Sequence, residues 1–163
     1  YLAPKTFSRD IVLFEGIQVL GGVVMGMGLA RNKMKAIFVK TQGEYLEAEI
    51  EVDGHRFVVM DNFSTQSLKA GDEINLELSV GLYCDDEAWD IVFASNPKAK
   101  VGLEHVSGWE YKAYGVVRSI NPVLVNVGMF DCEAMISSND ERIIGEPVSF
   151  LIKRLDANWL EDT

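Results

Sequence analysis

The stretch YLEAEIEVDGHRFVVM, residues 45–60, alternates apolar and acidic side chains and then turns back on itself. Its first apolar residues fall on one face of an extended chain, and its glutamates fall on the other. This alternation predicts a half-buried antiparallel strand with an acidic outer face. The pair Asp53-Gly54 favours a type I′ turn, so the residues from His55 to Met60 are predicted to return as the hairpin partner.

The same period of two recurs on both sides of this hairpin. KAIFVKT (residues 35–41) and EINLELSV (residues 73–80) are predicted to be strands, and AWDIVFA (residues 88–94) is predicted to be a further short strand. Residues 98–109, which follow the break at Ser95-Asn96-Pro97, are predicted to be a connector. Four more strands are predicted in the rest of the chain, at residues 111–120, 123–127, 132–136 and 148–155.

The two halves of the chain resemble each other. KAIFVKT, which begins at Lys35, matches KAYGVVRS, which begins at Lys112. GDEINLELSVGL, which begins at Gly71, matches GEPVSFLIKRLD, which begins at Gly145. Such self-similarity indicates duplication of a supersecondary unit, although unrelated β-meanders also share this turn chemistry. The pattern predicts three segments, listed by residue number: an N-terminal apolar segment (1–34), a first β half (35–97) and a second β half (98–163).

Each half is short for an independent core, so the halves are expected to pack together in one compact body. The predicted class is mainly β, with two related small antiparallel sheets or barrels that are OB-like or SH3-like in pattern. The N-terminal apolar segment is predicted to lie in the core between them or against them.

The run from Ile11 to Ala30, IVLFEGIQVLGGVVMGMGLA, has two interpretations. It has the length of a membrane span, and cations follow it, as they do at a cytoplasmic boundary. Its five glycines, however, each cost a helix roughly 1 kcal/mol, and an ionised Glu15 at a bilayer centre costs about 2.5–3.5 kcal/mol. A core-filling segment of a cytoplasmic protein is favoured, and a membrane anchor that tethers a cytoplasmic β domain is the alternative.

The net charge of the 163 residues is −10, which bears on the class of partner. Nucleic-acid binding needs clustered Lys and Arg, so a general affinity for nucleic acid is disfavoured. The charge is compatible with a protein partner that carries a basic surface, and an inhibitor or immunity-type protein is one concrete version. A net negative charge also keeps many proteins soluble whether or not they bind a partner.

The sequence contains no motif of a catalytic, metal or cofactor site. Cys84 and Cys132 do not form a CxxC pair, and the acidic run at residues 85–87 lacks the spacing of a calcium loop. His55 and His105 are the only histidines, and no nucleophile elbow or phosphate-binding loop is present. We therefore predict a non-catalytic interaction module without metal or cofactor, whose two thiols are free.

Aromatic residues in the middle of the chain are the best sequence indication of a binding face. Trp and Tyr are enriched at interface hot spots, and in barrel proteins they also stack on single-stranded nucleic acid, which is a further alternative function. Packing of these rings in the core between the two halves is an equally good explanation. The predicted binding residues are Tyr83, Trp89, Trp109, Tyr111 and Tyr114.

Overall fold

A computed structural model shows how the chain folds and describes residues 11–13, 33–64, 67–84, 87–134 and 136–160. Strands hold 57% and helices 7% of these residues, so the predicted mainly β class is confirmed. One α-helix, α1 (Trp89–Ala94), and one short 3-10 helix (Glu141–Ile143) accompany the strands in the described part. The ten strands form one sheet: β1 (Ile11–Leu13), β2 (Lys33–Thr41), β3 (Glu47–Val52), β4 (His55–Asn62), β5 (Glu73–Tyr83), β6 (Gly102–Ser107), β7 (Glu110–Ser119), β8 (Leu124–Asn126), β9 (Asp131–Glu133) and β10 (Pro147–Trp159).

The alternating stretch that predicts a hairpin forms β3 and β4. Val52 pairs with His55 across the turn. Asp53 and Gly54 have φ angles of 50° and 81°, and a type I′ turn requires positive φ at both central residues. Every second residue of β3 is buried, and the glutamates between them are half-buried. The hairpin and its acidic outer face are therefore confirmed.

Two predictions in the middle of the chain are wrong. Residues 88–94 do not form a strand, because Trp89–Ala94 is the helix α1. Val92 of this helix is buried while Ile91 is exposed, and a short apolar run does not distinguish a strand from a helix. The predicted connector at residues 98–109 contains β6, whose sequence GLEHVS does not alternate regularly.

The first unit consists of β2, β3, β4 and β5. β2 pairs with both β3 and β5, and β3 pairs with β4. The second half of β10 lies between β4 and β5, where Ala157 pairs with Asp61 in a parallel ladder and with Leu78 in an antiparallel one. β2, β3, β4, β10 and β5 therefore form a ring in which each strand pairs with two others.

The second unit consists of β7, β8, β9 and the first half of β10, and it has the same pairing order. β7 pairs with β8 and β10, and β8 pairs with β9. A register shift follows Phe38 in β2 and Val117 in β7, each opposite the next strand of its unit. The C=O groups of these two residues accept the N–H groups of Gly71 and Gly145, at 2.9 and 2.8 Å. Both glycines have positive φ, so the turns that precede β5 and β10 correspond.

The ladders agree with the sequence match of Gly71 with Gly145 but relate β2 and β7 differently from the match of Lys35 with Lys112. Phe38 corresponds to Val117, because each residue precedes the register shift and accepts a hydrogen bond from its turn glycine. The sequence match of Lys35 with Lys112 instead places Phe38 opposite Gly115, two positions earlier. A shift of two residues keeps each side chain on its own face, so the hydrophobic pattern does not detect it.

The corresponding inward positions are buried in both units. At the positions from β2, β3 and β4, the first unit has the larger residue or an equal one. The buried apolar residues of both units belong to one hydrophobic core, and β10 contributes to it along both of its halves. The corresponding pairs are Ala36 and Gly115, Phe38 and Val117, Ile50 and Val125, Val52 and Val127, Phe57 and Cys132, Val59 and Ala134, Ile74 and Val148, Leu76 and Phe150, and Leu78 and Ile152.

The N-terminal apolar run is described only at its start. Ile11–Leu13 forms β1, which pairs antiparallel with β6. The remainder of the run to Ala30 lies outside the described residues, together with the predictions that it fills the core or spans a membrane. Among the described residues, no helix has both the length and the apolar character needed to cross a bilayer.

Candidate interaction surface

The loop between β2 and β3 exposes two large apolar side chains next to each other. Tyr45 is 62% exposed and Leu46 is 49% exposed. The backbone of Tyr45 has a φ of 63°, a left-handed conformation that is uncommon for a residue other than glycine. Such conformations cost roughly 1–3 kcal/mol and persist only where the surrounding structure enforces them. An exposed aromatic ring held in this way makes the loop a candidate binding element.

The main chain of Asp61 in β4 fixes both exposed residues. The Asp61 C=O accepts a hydrogen bond from the N–H of Tyr45 at 2.7 Å, and the Asp61 N–H donates to the C=O of Leu46 at 2.9 Å. A further backbone hydrogen bond joins the two ends of the loop, since the N–H of Gln42 donates to the C=O of Glu47 at 2.9 Å. These contacts hold the exposed residues against the edge of β4.

The side chain of Asp61 adds a second set of contacts, although it is fully buried. Its carboxylate accepts the N–H groups of Phe63 and Ser64 at 2.9 and 2.8 Å. It also accepts the hydroxyl of Thr41, the last residue of β2. A buried carboxylate is tolerated when donors of this kind satisfy it. Asp61 therefore ties the start of the loop, and the chain that follows β4, to the same point.

The β6–β7 turn lies beside this loop. A Cβ atom added at Gly108 would come within 2.7 Å of Oε1 of Glu47. Nε2 of His105 is hydrogen-bonded to the C=O of Gly108 at 2.8 Å and holds the turn. A register shift between His105 and Ser107 leaves Val106 51% exposed, as bulges often do. We call Glu44, Tyr45, Leu46, Glu47 and Val106 the Tyr45 surface.

Two carboxylates give the Tyr45 surface a negative edge. The hydroxyl of Tyr45 is hydrogen-bonded to Glu44, and this bond, with the charge of Glu44, raises the pKa of Tyr45. Among the described residues, neither Glu44 nor Glu47 has a Lys or Arg within ion-pair distance. Glu49, the next outward residue of β3, instead pairs with a lysine at 3.4 Å and an arginine at 3.7 Å.

The sequence pattern does not indicate Tyr45 and Leu46 as candidate binding residues. The alternation of apolar residues assigns both to a strand, whereas β3 begins at Glu47. Gly43, which has a φ of 135°, is the available signal, because glycine often marks a turn. That signal indicates a loop but does not show that the loop is rigid.

The structure does not gather the five predicted aromatic residues on one face. Tyr111 is 3% exposed, and its hydroxyl accepts the N–H of Val58 at 2.8 Å and donates to the C=O of the same residue at 3.0 Å. Its ring lies 6.2 Å from that of Phe57. Tyr111 therefore connects β7 to the core of the first unit, as the packing alternative expects.

The other four aromatic residues have separate surroundings. Tyr83 is half-buried and donates its hydroxyl to the C=O of Glu133, and burial raises the pKa of Tyr83. Trp89 begins α1, and its side chain lies outside the described part. Trp109 is half-buried and directly follows Gly108, so it lies close to the Tyr45 surface. A role in binding remains a prediction for all of them.

Tyr114, on β7, is half-buried between two charged groups. Its hydroxyl donates to Glu104 at 3.2 Å, and Nζ of Lys100 lies 5.4 Å from the centre of its ring. Burial, with a smaller contribution from Glu104, raises the pKa of Tyr114. The two charged groups that contact Tyr114 therefore belong to the same chain.

A small cavity lies between the end of β5 and β9. Its volume is about 80 Å³, and its lining includes Tyr83, Glu87 and Ile136. Small-molecule sites usually have about 300–1,000 Å³, so this cavity is too small for such a ligand. Both carboxylate oxygens of Glu87 accept the N–H of Leu151 at 2.9 Å, and Lys112 lies 3.5 Å from one of them. The carboxylate of Glu87 therefore has its partners within the protein.

Cys84 and Cys132 are free thiols. Cys132 is buried in β9, and this burial raises its pKa, with a smaller contribution from the neighbouring Asp131. In the described ranges, no three His, Cys, Asp or Glu side chains lie together as metal ligands would. Every buried side-chain nitrogen or oxygen in these ranges has a hydrogen-bond partner.

The Tyr45 surface is thus the best candidate site that the described residues offer, since it combines exposed apolar area, fixed geometry and a charged edge. No protein-family model matches the chain, and no curated protein or solved structure matches it either.

Proposed function

We propose that the protein is a non-catalytic interaction module that binds another protein through the Tyr45 surface. The observation that carries this proposal is the exposed side chain of Tyr45, whose backbone has a left-handed conformation and donates a hydrogen bond to the C=O of Asp61. Tyrosine is enriched among the residues that contribute most to binding at interfaces. Among the described residues, the cavity beside β9 is too small to support a small-molecule function.

Rigidity supports the proposal because binding normally orders mobile side chains and loops at a cost in free energy. That cost is about 0.5–1.5 kcal/mol for each side chain that becomes immobile. Asp61 already fixes the main chain at Tyr45 and Leu46. A partner that contacts this loop therefore loses less affinity to ordering than one that contacts a mobile loop.

Charge supports a partner with a basic surface. The chain has a net charge of −10, and Glu44 and Glu47 stand at the edge of the exposed apolar residues. Complementary charge speeds association and rejects partners of like charge. An acidic inhibitor or immunity-type protein, which neutralises a basic protein, is the specific form that we propose.

The interface extends beyond the β2–β3 loop. A stable interface covers about 800 Å² on each partner, more than two side chains provide. Val106 and the β6–β7 turn lie next to the loop, as the approach of Gly108 to Glu47 indicates. We propose that the partner covers both elements, with Tyr45 near the centre.

We also propose that the module acts in the cytoplasm, since two free thiols fit a reducing compartment. The tethered alternative, in which the run from Ile11 to Ala30 anchors the domain, concerns residues that lie mostly outside the described part. The nucleic-acid alternative gains nothing from the buried position of Tyr111.

A matched pull-down from the native host tests the proposal. Immobilised full-length protein is compared with Tyr45→Ala/Leu46→Ala and with the control Ile144→Ala, which removes a side chain that is 46% exposed away from this surface. The proposal expects a basic protein that the wild type and the control retain equally and that the double variant loses at least ten-fold. Circular dichroism and urea unfolding show that all three are folded. Equal retention by the double variant, or no specific partner, contradicts the proposal.

A further inference from the structure

We infer that the Tyr45 surface accepts one cationic side chain, an arginine or a lysine, from an extended segment of the partner protein. The cation lies over the ring of Tyr45 and between the carboxylates of Glu44 and Glu47. This inference rests on the proposed function and adds the chemistry of the residue that the surface recognises.

The first argument is the state of the Tyr45 ring. The side chain is 62% exposed, and the neighbouring Glu44 raises the pKa of its hydroxyl. Glu44 directly precedes Tyr45, so a carboxylate lies near the ring. Cations bind to the faces of aromatic rings because the ring quadrupole attracts them. A guanidinium group on this ring therefore meets an aromatic surface and a negative charge together.

The second argument is the distribution of ion pairs around the acidic face of β3. Glu49 is paired within the protein, with Lys40 at 3.4 Å and Arg56 at 3.7 Å. At the start of β7, Glu110 is paired with a lysine at 3.5 Å. Glu44 and Glu47 have no such cation among the described residues, and neither does Glu51 at the far end of β3. Of these carboxylates, Glu44 and Glu47 are the ones that flank the exposed Tyr45 in the sequence, so they are available to a cation that binds its ring.

The third argument is the apolar area beside the charges. Leu46 and Val106 are about half exposed, so they offer contacts to the aliphatic part of a long side chain. Arginine and lysine both carry such an aliphatic stem. Arginine fits best, because its planar group stacks on aromatic rings and binds carboxylates through two hydrogen bonds.

The test is a peptide selection on the immobilised full-length protein. Random twelve-residue peptides are selected for binding, and those that bind the Tyr45→Ala/Leu46→Ala variant at least ten-fold more weakly are retained as surface-dependent. The inference expects these peptides to be enriched in Arg or Lys. Replacing the critical arginine by citrulline, a neutral residue of the same shape, is expected to weaken binding about ten-fold.

The carboxylates are tested in the same peptides. In the Glu44→Gln/Glu47→Gln variant, the difference between arginine and citrulline peptides is expected to become smaller, because only the ring of Tyr45 then favours the cation, while Ile144→Ala keeps the ten-fold difference. Surface-dependent peptides without basic residues, or equal binding of both peptides to the wild type, overturn the inference and leave the proposed function in place. If no selected peptide depends on the Tyr45 surface, the proposed function itself fails and the inference fails with it.

Discussion

The first and second units share one strand order and differ most in the loop between their first two strands. In the first unit, residues 41–48 lie between Lys40 and its partner Glu49, whereas in the second unit residues 120–123 lie between Ser119 and its partner Leu124. The longer loop carries Tyr45 at positive φ, and the shorter loop has Asn121 at a φ of 53°. Asparagine tolerates this conformation better than tyrosine does. The comparison indicates that the two units keep one pairing order and differ in the length and backbone conformation of this connection.

The two units also differ in how their rings close. In the first unit, backbone pairs join Ala157 of β10 to β4 and β5. In the second unit, Tyr83 occupies the position that corresponds to Ala157, since it pairs with Ile152 as Ala157 pairs with Leu78. Its contact with β9 is a hydrogen bond from its side chain to Glu133. The unit that carries the Tyr45 surface therefore has the more complete backbone pairing, which favours a rigid platform.

The largest expected effect comes from exchanging one corresponding pair. A Cβ atom at Gly115 would lie 2.3 Å from the backbone oxygen of Asn126, whereas its counterpart Ala36 already has a Cβ atom. Gly115→Ala is expected to lower the free energy of unfolding by about 3 kcal/mol, since backbone atoms must move. Ala36→Gly is expected to lower it by about 1 kcal/mol. Urea unfolding measures the free energy of unfolding of both variants. Equal effects would contradict the expected clash between a Cβ atom at Gly115 and the backbone of Asn126.

Removing the carboxylate of Asp61 is expected to have the next largest effect. Asp61→Ala leaves the N–H groups of Phe63 and Ser64 without their acceptor, at an expected cost of about 2 kcal/mol. Ile136 lies at the corresponding position of the second unit, so Ile136→Ala serves as a control that leaves the β2–β3 loop untouched. Hydrogen exchange at Tyr45 and Leu46 is expected to increase only in Asp61→Ala. Unchanged exchange there would show that the carboxylate does not hold the loop.

The corresponding pair Phe57 and Cys132 gives the second unit alone a buried thiol. Burial raises the pKa of Cys132 above its ordinary value of 9.0, so its contribution to stability is complete below that pH and is lost as the pH rises above it. Between pH 8 and pH 10 the wild type is expected to lose about 1 kcal/mol through this residue. Cys132→Val is expected to lose that much less in urea unfolding at the two pH values. An equal loss in the variant would exclude Cys132 as the cause.

The smallest expected effect has the opposite sign. Tyr45→Gly removes a side chain from a residue at positive φ, so we expect unfolding to require about 0.5–1 kcal/mol more free energy. The same variant is expected to lose partner binding. Asn121→Gly is expected to gain less, because asparagine already tolerates the conformation. A Tyr45→Gly protein that is less stable than the wild type would show that the ring packs on the fold and is not held for a partner.

The sequence predicts the fold best where alternation is strict. EINLELSV becomes part of β5, and the Asp53-Gly54 turn forms as expected, because one face of each strand is buried and a slip of one residue would expose it. Prediction fails for WDIVFA, which is apolar enough for either a strand or a helix and folds as α1. The correspondence between β2 and β7 is two residues from the sequence match for a related reason, since a slip of two leaves the same faces buried.

The candidate site could not be predicted from the sequence, and the reason is different. Its geometry depends on Asp61, an acidic residue near a strand end whose sequence context predicts a solvent-exposed loop. Only the folded chain brings Asp61 next to Thr41 and Tyr45. Contacts between residues that are distant in sequence leave no periodic pattern, so neither the burial of Asp61 nor the rigidity of the loop can be read from composition or alternation.

The position of β10 has a consequence for how the protein is made. β10 follows every other described strand along the chain, yet it completes the ring of the first unit and supplies a central strand to the second. During translation, β4 and β5 therefore each have an unpaired backbone edge until residues 156–159 have left the ribosome and can pair with them. Unpaired edges on a nascent chain invite association with other chains. The yield of folded protein should then depend on elongation rate and on chaperones that shield those edges, even where the finished fold is stable.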